Sequence, residues 1–418
     1  MYIDLLKLEN FKGITNMELP LNGRSSVFFG ENGVGKSSIL LAVNILFSNI
    51  INKIVANRFK QGISIDFNDI TFGKTRASIS AEFQMEGFPC EYARHIDKNA
   101  NRRTHNRIEL DNLYNLFEAL FLVVPEANMP ILVNYGVNRS VVDIPLRIRT
   151  KHEFDKLSTY QNAIESKIDF RTFFEWYRYQ EDFENQVKVR EDPNYSDISL
   201  RAAQTAITSF MEGFSNLRVD RNPLAMKITK QGRDLRIEQL SDGEKCTIAL
   251  LGDLSRRLAL ANPSLDNPLE GKGIVLIDEI ELHMHTQWQR KILPKLKEIF
   301  PNIQFLITTH SPQVLGEIDD SYNLFFLERS GYLSACTRID SLYGWDSNTI
   351  LEDKMNTPSR NSDIQEKSKL MFQMISEKKY REASALADDI AVVTNDANED
   401  VTYARVLIAK GLRNEKNS

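Results

Sequence analysis

The chain has 418 residues, of which 42% are hydrophobic and 26% charged, a balance typical of a globular protein with two or three compact domains. Its net charge of −5 excludes an overall positive field that would draw the whole protein onto nucleic acid. The three cysteines stand far apart, which argues against a disulfide framework or a zinc site. The first residues do not resemble a signal peptide, and no apolar run approaches about 18 residues, so we predict a cytoplasmic protein without a membrane segment.

The N-terminal third alternates apolar and polar residues and contains one apolar stretch of helical length. Strands are predicted at 2–11 (YIDLLKLENF), 25–30 (SSVFFG) and 77–85 (ASISAEFQM), and a helix at 39–51 (ILLAVNILFSNII). The next segment, 94–107 (RHIDKNANRRTHNR), is polar and basic and predicts a loop.

The middle of the chain turns helical. From Lys151 to about Arg221 it is rich in charged and aromatic residues but never holds a heptad for several repeats, which indicates compact helices and not a coiled-coil arm. Further on, the pattern predicts a hairpin turning at Gln231–Gly232, a helix from Ser241 to about Leu260, strands at 273–278 (GIVLID) and 304–310 (QFLITTH), a helix at 286–300, and a helical tail after Ser341.

Residues 30–38, GENGVGKSS, have the spacing GxxxxGK[ST] between a predicted strand and a predicted helix. Glycines at 30, 33 and 35 let backbone N–H groups approach phosphate oxygens, and the helix that follows adds its positive end. We predict that Lys36 contacts the terminal phosphates of ATP and that Ser37 places its hydroxyl on Mg²⁺. The loop residues assigned to nucleotide binding are Gly30, Glu31, Asn32, Gly33, Val34, Gly35, Lys36, Ser37 and Ser38.

Two later strands end in polar residues. The run GIVLIDE ends at Asp278, which we expect to hold Mg²⁺ through water, and at Glu279, which we expect to act as the general base on the attacking water. The strand 304–310 ends at His310, which we expect to donate a hydrogen bond to the γ-phosphate. The predicted catalytic residues are thus Lys36, Glu279 and His310, and the predicted metal residues are Ser37 and Asp278.

A second short glycine loop, EQLSDGEKC, begins at Glu238. Ser241 and Glu244 fit a capping box at the start of a helix, and capping alone would explain them. A helix start with glycine in its first turn also exposes N–H groups to an anion. Because the chain already has one phosphate loop, we predict that this loop contacts the γ-phosphate of ATP held by a second copy, through Ser241, Asp242, Gly243 and Glu244.

The order GENGVGKSS, LSDGEK, GIVLIDE, TTHSP resembles that of ABC-type ATPase heads, in the branch that contains Rad50, the structural-maintenance-of-chromosomes (SMC) heads and RecF. The resemblance implies an α/β P-loop fold, a mixed sheet with flanking helices, carrying a helical insertion and a helical C-terminal tail. It also implies ATP hydrolysis in a head-to-head dimer in which each signature loop, LSDGEK, acts in trans. The start LKLENFKGI resembles the first strand of this branch, where Phe11 and Lys12 lie near the nucleotide.

We divide the chain into an N-terminal part of the ATPase head (1–150), a helical insertion (151–223), a C-terminal part of the head (224–340) and a helical tail for docking or oligomerisation (341–418). Asp242 stands where transporter-type signatures have glycine. The Mg²⁺-sensing glutamine of the family has two candidates, Gln61 and Gln84, neither of them favoured. His283 and His285 alternate without a set of ligands at metal spacing, which favours packing or a dimer contact over a metal site.

Three segments resemble the Septu-type ATPases (PtuA), including forms associated with retrons: 133–148 (VNYGVNRSVVDIPLRI), 173–185 (FFEWYRYQEDFEN) and 343–355 (YGWDSNTILEDKM). Aromatic packing alone would also explain 173–185. In that family the ATPase regulates a partner HNH nuclease during phage attack, with DNA or RNA contact through the partner left open.

A rival hypothesis is a DNA-repair or chromosome-maintenance ATPase of RecF or Rad50 type. Such a protein would bind DNA directly, through the basic segments 98–107 (KNANRRTHNR) and 146–151 (LRIRTK). The negative net charge and the lack of a coiled coil weigh against it. A transporter motor would need membrane partners, and no cluster after His310 favours a nuclease within this chain.

Overall fold

The computed structural model describes residues 1–56, 58, 62–100, 102–105, 107–138, 154–331, 333–358 and 361–416. The chain folds as two units, Met1–Ser347 and Asn348–Ser418. Several parts of the chain named above lie outside the described residues: Gln61, the basic segment 146–151, the end of the segment 133–148, and residues 101 and 106 of the basic segment 98–107. The division at residues 150, 223 and 340 stays a prediction.

Strands and helices are numbered in chain order over the described residues. The strands are β1 Tyr2–Phe11, β2 Ile14–Pro20, β3 Ser25–Gly30, β4 Arg76–Met85, β5 Phe88–Asp97, β6 Arg102–His105, β7 Ile131–Tyr135, β8 Phe214–Arg221, β9 Leu224–Lys230, β10 Arg233–Arg236, β11 Gly273–Ile277, β12 Ile303–Thr309, β13 Tyr322–Ser330 and β14 Leu333–Ile339. The helices are α1 Lys36–Ile54, α2 Arg107–Phe121, α3 Phe170–Arg190, α4 Ile198–Phe210, α5 Asp242–Ala261, α6 Thr286–Ile299, α7 Pro312–Leu315, α8 Ser347–Asp353, α9 Ser362–Ser376, α10 Tyr380–Thr394 and α11 Glu399–Lys416.

A six-stranded sheet with the order β14-β13-β3-β12-β11-β7 forms the centre of the first unit. Its strands are parallel except β14, which runs antiparallel to β13. Every residue of β3, β11 and β12 is buried, which is why these strands are continuous apolar runs in the sequence. The carboxyl ends of the three strands meet at one edge, so the predicted phosphate loop, Asp278 and His310 lie together there.

The helix α1 follows β3 and packs into the core beneath this edge. It is long and apolar enough to cross a membrane by length and composition, but 67% of it is buried inside the protein. The core position of α1 explains its composition, because a helix covered on all sides is apolar all round.

A second, antiparallel sheet has the order β2-β1-β4-β5-β6. The loop predicted for 94–107 is wrong, because β5 continues to Asp97, opposite Arg76, and β6 pairs back onto β5 with Arg94 opposite His105. Among the side chains of this stretch that the structure describes, which end at residue 100, Ile96 is the one buried aliphatic group. A solvated edge strand can be this polar, because just one of its faces meets the core.

A third sheet has the order β10-β9-β8. The helical pattern predicted up to Arg221 is wrong in its last part, since α4 ends at Phe210 and β8 begins at Phe214. In β8, Leu217 and Val219 are both buried two residues apart, which is strand periodicity. The predicted hairpin turn at Gln231–Gly232 is confirmed.

Helix α5 carries a fully buried charged cluster. Asp253 is 0% exposed and accepts hydrogen bonds from Arg256 at 2.6 Å, from Arg257 at 2.7 Å and from the hydroxyl of Tyr135 at 2.9 Å. The hydroxyl of Thr159 donates to the carbonyl oxygen of Arg257 at 2.9 Å. These hydrogen bonds therefore connect α5 to Tyr135 of β7 and to the 3-10 turn that contains Thr159.

The second unit is helical, as predicted for the tail. Helices α9, α10 and α11 pack around a core that includes Met371, Ala387, Ile390, Val401 and Ala404. Small residues on α10 and α11 allow the helices to approach closely around Met371, which is fully buried.

Candidate phosphate and magnesium site

The loop between β3 and α1 turns through Gly35, the residue that precedes the helix. Gly35 has φ of 103°, and a β-carbon there would lie 3.2 Å from Oγ of Ser334 on β14. A larger residue would be both strained and crowded. Within the described residues, no side chain caps the first N–H groups of α1, so this helix start is suited to an anion.

Lys36 spans the loop that it closes. Its Nζ donates to the carbonyl oxygens of Gly30 at 2.9 Å and Glu31 at 2.7 Å, and lies 3.4 Å from Nδ1 of His310. An ammonium group has only donors, so Nδ1 must be the acceptor and Nε2 carries the hydrogen of the neutral ring. Burial, and then the charge of Lys36, lowers the pKa of His310, which keeps this ring neutral near pH 7.

The two predicted metal residues meet across the sheet edge. The Ser37 hydroxyl donates to Oδ1 of Asp278 at 3.1 Å, and the backbone N of Asp278 donates to the carbonyl oxygen of Tyr135 at 2.9 Å. One hydroxyl and one carboxylate, with water at the remaining positions, form a donor set that Mg²⁺ accepts. The residues at this edge therefore fit the ion that the sequence predicts.

The predicted base, Glu279, sits on strained backbone. Its φ is 49°, in the left-handed region that residues other than glycine rarely adopt, and its backbone N donates to Oγ1 of Thr308 at 2.8 Å. Strain of this kind persists only where neighbouring groups fix it, and it clusters at functional sites. Glu279 thus leaves the strand end at a fixed angle beside Asp278.

Sequence reasoning missed a third acid at this edge, Glu281. Its carboxylate accepts hydrogen bonds from Oγ1 of Thr309 at 2.8 Å and from the backbone N of His310 at 2.5 Å. The spacing in DEIE was the available signal, since a residue two positions after Glu279 stays near the same sheet edge. Glu281 joins the segment after β11 to the segment after β12.

Lys12 lies at the turn between β1 and β2. Its Nζ is 3.2 Å from Oδ1 of Asp69, and the next residue, Gly13, accepts a hydrogen bond from the backbone N of Ser334 at 3.1 Å. Ser334 is also the residue that crowds Gly35. The structure therefore places the Lys12 turn beside the phosphate loop, although the ammonium itself is paired with Asp69.

Gln84, one candidate for the Mg²⁺-sensing glutamine, lies far from this edge. It sits opposite Tyr2 in the antiparallel sheet, and the neighbouring Ile3 is hydrogen-bonded to the side chain of Gln304 at 2.7 Å. Gln304 stands at the start of β12, whereas the candidate site lies at the end of that strand. Gln84 is therefore not a residue of this site.

The signature loop has the predicted capping box. Ser241 Oγ accepts from the backbone N of Glu244 at 3.4 Å, and Oε2 of Glu244 accepts from the backbone N of Ser241 at 2.9 Å. A β-carbon at Gly243 would lie 2.2 Å from the carbonyl oxygen of His283, so only glycine fits there. The loop after β11 thus braces the signature loop within one chain.

The phosphate loop and the signature loop of one chain are not bonded to each other. Among the described residues, no hydrogen bond or ion pair joins 241–244 to 30–38. Glu244 pairs with Lys230 at 2.6 Å, and Asp242, which is exposed, pairs with Lys245 at 2.7 Å. The two acidic side chains of the signature loop therefore pair with nearby lysines of the same chain.

The two alternating histidines have structural contacts. His283 has φ of 63° and presents its carbonyl oxygen to Gly243. His285 precedes α6, and its Nδ1 accepts from the backbone N of Gln287 at 3.4 Å. In the part of the chain that the structure describes, no three histidine, cysteine or acidic side chains are grouped as metal ligands.

Comparison with known proteins identifies the family. The family model described as "AAA domain, putative AbiEii toxin, Type IV TA system" matches residues 25–316, which is well over half of the chain. The retron Ec83 probable ATPase of Escherichia coli is 31% identical over 386 residues, covering 77% of this chain and 71% of that protein. The chain belongs to the AAA-domain family of retron ATPases.

One further relative agrees with the predicted family, and one solved structure is also similar. The Septu protein PtuA of Bacillus thuringiensis is 25% identical to this retron-type ATPase, over 85% of this chain and 84% of that one. An SMC head bound to the C-winged helix domain of ScpA is similar at a TM-score of 0.49 and 17% identity, covering 82% of this chain and 99% of that chain. The predicted similarity to retron and Septu ATPases, the ATPase activity and the α/β fold are confirmed.

ATP affinity is expected to fall above about pH 8. Burial, which disfavours the charged form, lowers the pKa of Lys36 to about 8 in spite of the carboxylates of Glu281, Glu279 and Asp278. A bound triphosphate would restore the charged form, so binding above this pH requires proton uptake. We expect the Kd for ATP at pH 9 to be about tenfold higher than at pH 7.

Calorimetric titration of the protein with ATP across this range is the measurement. Lys36→Met, which has no titrating ammonium, is the control and should bind weakly with a flat pH profile. A wild-type affinity that stays constant up to pH 9 would contradict contact between the ammonium of Lys36 and the phosphates.

Proposed function

We propose that this ATPase is a subunit of a cytoplasmic anti-phage defence system, that it dimerises through ATP, and that it regulates a partner HNH nuclease. The similarity to a retron ATPase and to a Septu protein supports a defence role. The helical second unit, Asn348–Ser418, supports a separate surface for a partner.

ATP and Mg²⁺ bind, in this proposal, between the loop 30–38 and Asp278 of one copy and the signature loop of another. Ser37 and Asp278 hold Mg²⁺, whose positive charge stabilises the phosphate oxygens during hydrolysis. Lys36 and His310 contact the γ-phosphate, and Glu279 takes a proton from the attacking water. Lys12 lies beside the nucleotide, and the backbone at 241–243 contacts the γ-phosphate from the second copy.

The conformation of the signature loop is the observation that supports an arrangement in which this loop acts on the ATP of a second copy. The loop is a capped helix start, braced at Gly243 by the carbonyl oxygen of His283, and it has no bond to the phosphate loop of its own chain among the described residues. The cap of Ser241 engages the N–H of Glu244, and the earlier N–H groups of the first turn, which contains a glycine, are suited to an anion from outside the chain. Head-to-head symmetry would then place two equal sites across one interface.

Mixing two inactive variants tests this arrangement. Lys36→Ala removes a phosphate contact, and Ser241→Arg blocks the signature loop. In a mixed dimer, one site combines the intact phosphate loop of one copy with the intact signature of the other. If the sites turn over independently, the mixture should regain up to about a quarter of wild-type turnover, since half of the dimers are mixed and each has one complete site.

Each variant alone should be inactive. The control is Lys36→Ala mixed with the double variant Lys36→Ala/Ser241→Arg, because no dimer in that mixture contains an intact phosphate loop. A mixture of the two single variants that stays inactive would contradict a shared site. Full turnover by Ser241→Arg alone would remove the signature loop from the mechanism.

The partner and nucleic-acid contact are tested by co-purification. The chain is expressed together with the products of its neighbouring genes and purified with and without ATP, and any complex that contains an HNH nuclease is treated with DNase or RNase. A complex that survives the DNase or RNase treatment, and that cleaves DNA at a rate which changes with ATP, supports the proposed regulation. Binding of duplex DNA by the ATPase alone would instead favour the RecF-type or Rad50-type alternative.

A further inference from the structure

Two consecutive threonines at the end of β12 contact the acids that follow β11. Thr308 is fully buried, and its hydroxyl lies 2.5 Å from Oδ1 of Asp278 and 2.8 Å from the backbone N of Glu279. The hydroxyl of Thr309 lies 2.8 Å from Oε2 of Glu281. Neighbouring side chains on a strand point to opposite faces, which is why the two hydroxyls reach different acids.

The direction of both Thr308 hydrogen bonds follows from their partners. A backbone N–H can only donate, so the Thr308 oxygen accepts from Glu279 and its own proton goes to Asp278. Oδ1 of Asp278 also accepts from Ser37 at 3.1 Å. The carboxylate of Asp278 is therefore oriented from two sides, by a residue of the phosphate loop and by a residue of β12.

Thr308 also holds the strained turn after β11. Glu279 has φ of 49°, and the two backbone N–H groups nearest the turn both donate to Thr308: that of Glu279 to the hydroxyl at 2.8 Å, and that of Ile280 to the carbonyl oxygen at 3.1 Å. A positive φ in a residue with a β-carbon persists only where such contacts fix it. One threonine thus fixes both the metal-binding acid and the backbone of the acid next to it.

We propose that Thr308 is a positioning residue for ATP hydrolysis, whose single hydroxyl sets the orientation of Asp278 toward Mg²⁺ and the direction of Glu279 toward the attacking water. The inference rests on the proposed roles of those two acids and assigns a role to a residue outside the set proposed to contact nucleotide and metal. Thr309 acts separately, through Glu281, on the backbone N of His310, which lies 2.5 Å from Oε1 of that acid.

Thr308→Val is the test, because valine has the shape of threonine and the same preference for a strand but lacks the hydroxyl. We expect kcat for ATP to fall about tenfold or more, since a hydrogen bond to a charged group is lost and the backbone N–H of Glu279 loses the Thr308 oxygen as its acceptor. The Kd for Mg²⁺, measured by calorimetry with a non-hydrolysable ATP analogue and so without turnover, should rise at least about threefold. Thr308→Ser keeps the hydroxyl and should bring both values back to within about threefold of wild type.

Thr159→Val is the matched control, because Thr159 is also buried and donates a single hydrogen bond, to the carbonyl oxygen of Arg257. It should lower the melting temperature without changing the Kd for Mg²⁺ of the folded protein. A purely structural role of Thr308 would give the same pattern. If Thr308→Val fails to fold, Thr308→Ala, which also lacks the hydroxyl, must show the same shift in the Kd for Mg²⁺.

Wild-type kcat and Kd for Mg²⁺ in folded Thr308→Val would overturn the inference. Asp278→Asn and Glu279→Gln are assayed in parallel, so that a failure of the Thr308 inference can be distinguished from a failure of the proposed site. If these two variants lose turnover while Thr308→Val keeps it, only the role of Thr308 is wrong. If both acid variants hydrolyse ATP normally, the proposed site itself is wrong.

Discussion

Glu279→Gln is expected to lower ATP turnover about a hundredfold or more while ATP still binds, because an amide cannot take a proton from water. Glutamine has nearly the same shape, and the backbone N at this position keeps its bond to Thr308 at 2.8 Å, so the turn after β11 should persist. With hydrolysis blocked, the ATP-bound dimer should accumulate. Turnover assays and light scattering with ATP and Mg²⁺ measure the two effects.

Glu298→Gln is the control for this change. Glu298 lies on α6, is largely exposed and pairs with Lys295 at 2.8 Å, so the same substitution there should alter neither turnover nor mass. Normal hydrolysis by Glu279→Gln would remove this residue from the proposed mechanism. An unchanged mass with ATP, in a variant that binds but does not hydrolyse it, would count against dimerisation through ATP.

Asp253→Ala is expected to reduce the free energy of unfolding by about 3–5 kcal/mol, since it leaves two buried guanidinium groups without their carboxylate. Asp253, Arg256 and Arg257 are 0%, 1% and 2% exposed, so water cannot replace the lost partner. The hydroxyl of Tyr135 loses its acceptor as well. Urea unfolding followed by the fluorescence of the buried Trp176 is the measurement.

Asp363→Ala provides the matched comparison, because Asp363 pairs with Lys367 at 3.0 Å with the same i,i+4 spacing on an exposed helix face. Its removal should cost less than about 0.5 kcal/mol. Similar losses in the two variants would contradict the buried cluster as a source of stability.

The contribution of Asp253 to the stability of the protein should also depend on pH. Burial alone would raise the pKa of Asp253, but the charges of Arg257 and Arg256 outweigh it and hold the pKa at about 2. A carboxyl whose pKa is depressed on folding stabilises the protein above its unfolded value, near 4, and that effect is lost as the pH falls through about 2. The difference in the free energy of unfolding between wild type and Asp253→Ala should therefore become smaller below about pH 4.

The site was predictable where its chemistry is local in sequence. The phosphate loop, the capping box of Ser241 and Glu244, and the acid pair after β11 each follow from a few adjacent residues with a fixed spacing. The meeting of the phosphate loop and the acid pair at one sheet edge also followed, because parallel strands bring their carboxyl ends together. Ser37 and Asp278, 241 positions apart, are accordingly in contact.

Features that depend on pairing between distant segments could not be predicted from a few adjacent residues. Thr308 looks like one more buried strand residue until its neighbours, 30 positions earlier, are known. The polar strand β6 is stabilised by its partner β5, and β8 by its partner β9, so local composition predicted a loop and a helix. Local propensity is a weak guide where tertiary pairing decides.

The contact between Gly243 and the carbonyl oxygen of His283 has a consequence for how the two halves of the proposed dimer communicate. Each chain would complete its partner's pocket with a loop that rests against the segment just beyond its own Glu279. A shift of that segment in one pocket must then move the wall of the other. The two turnovers would be cooperative, with a sigmoidal dependence on ATP concentration.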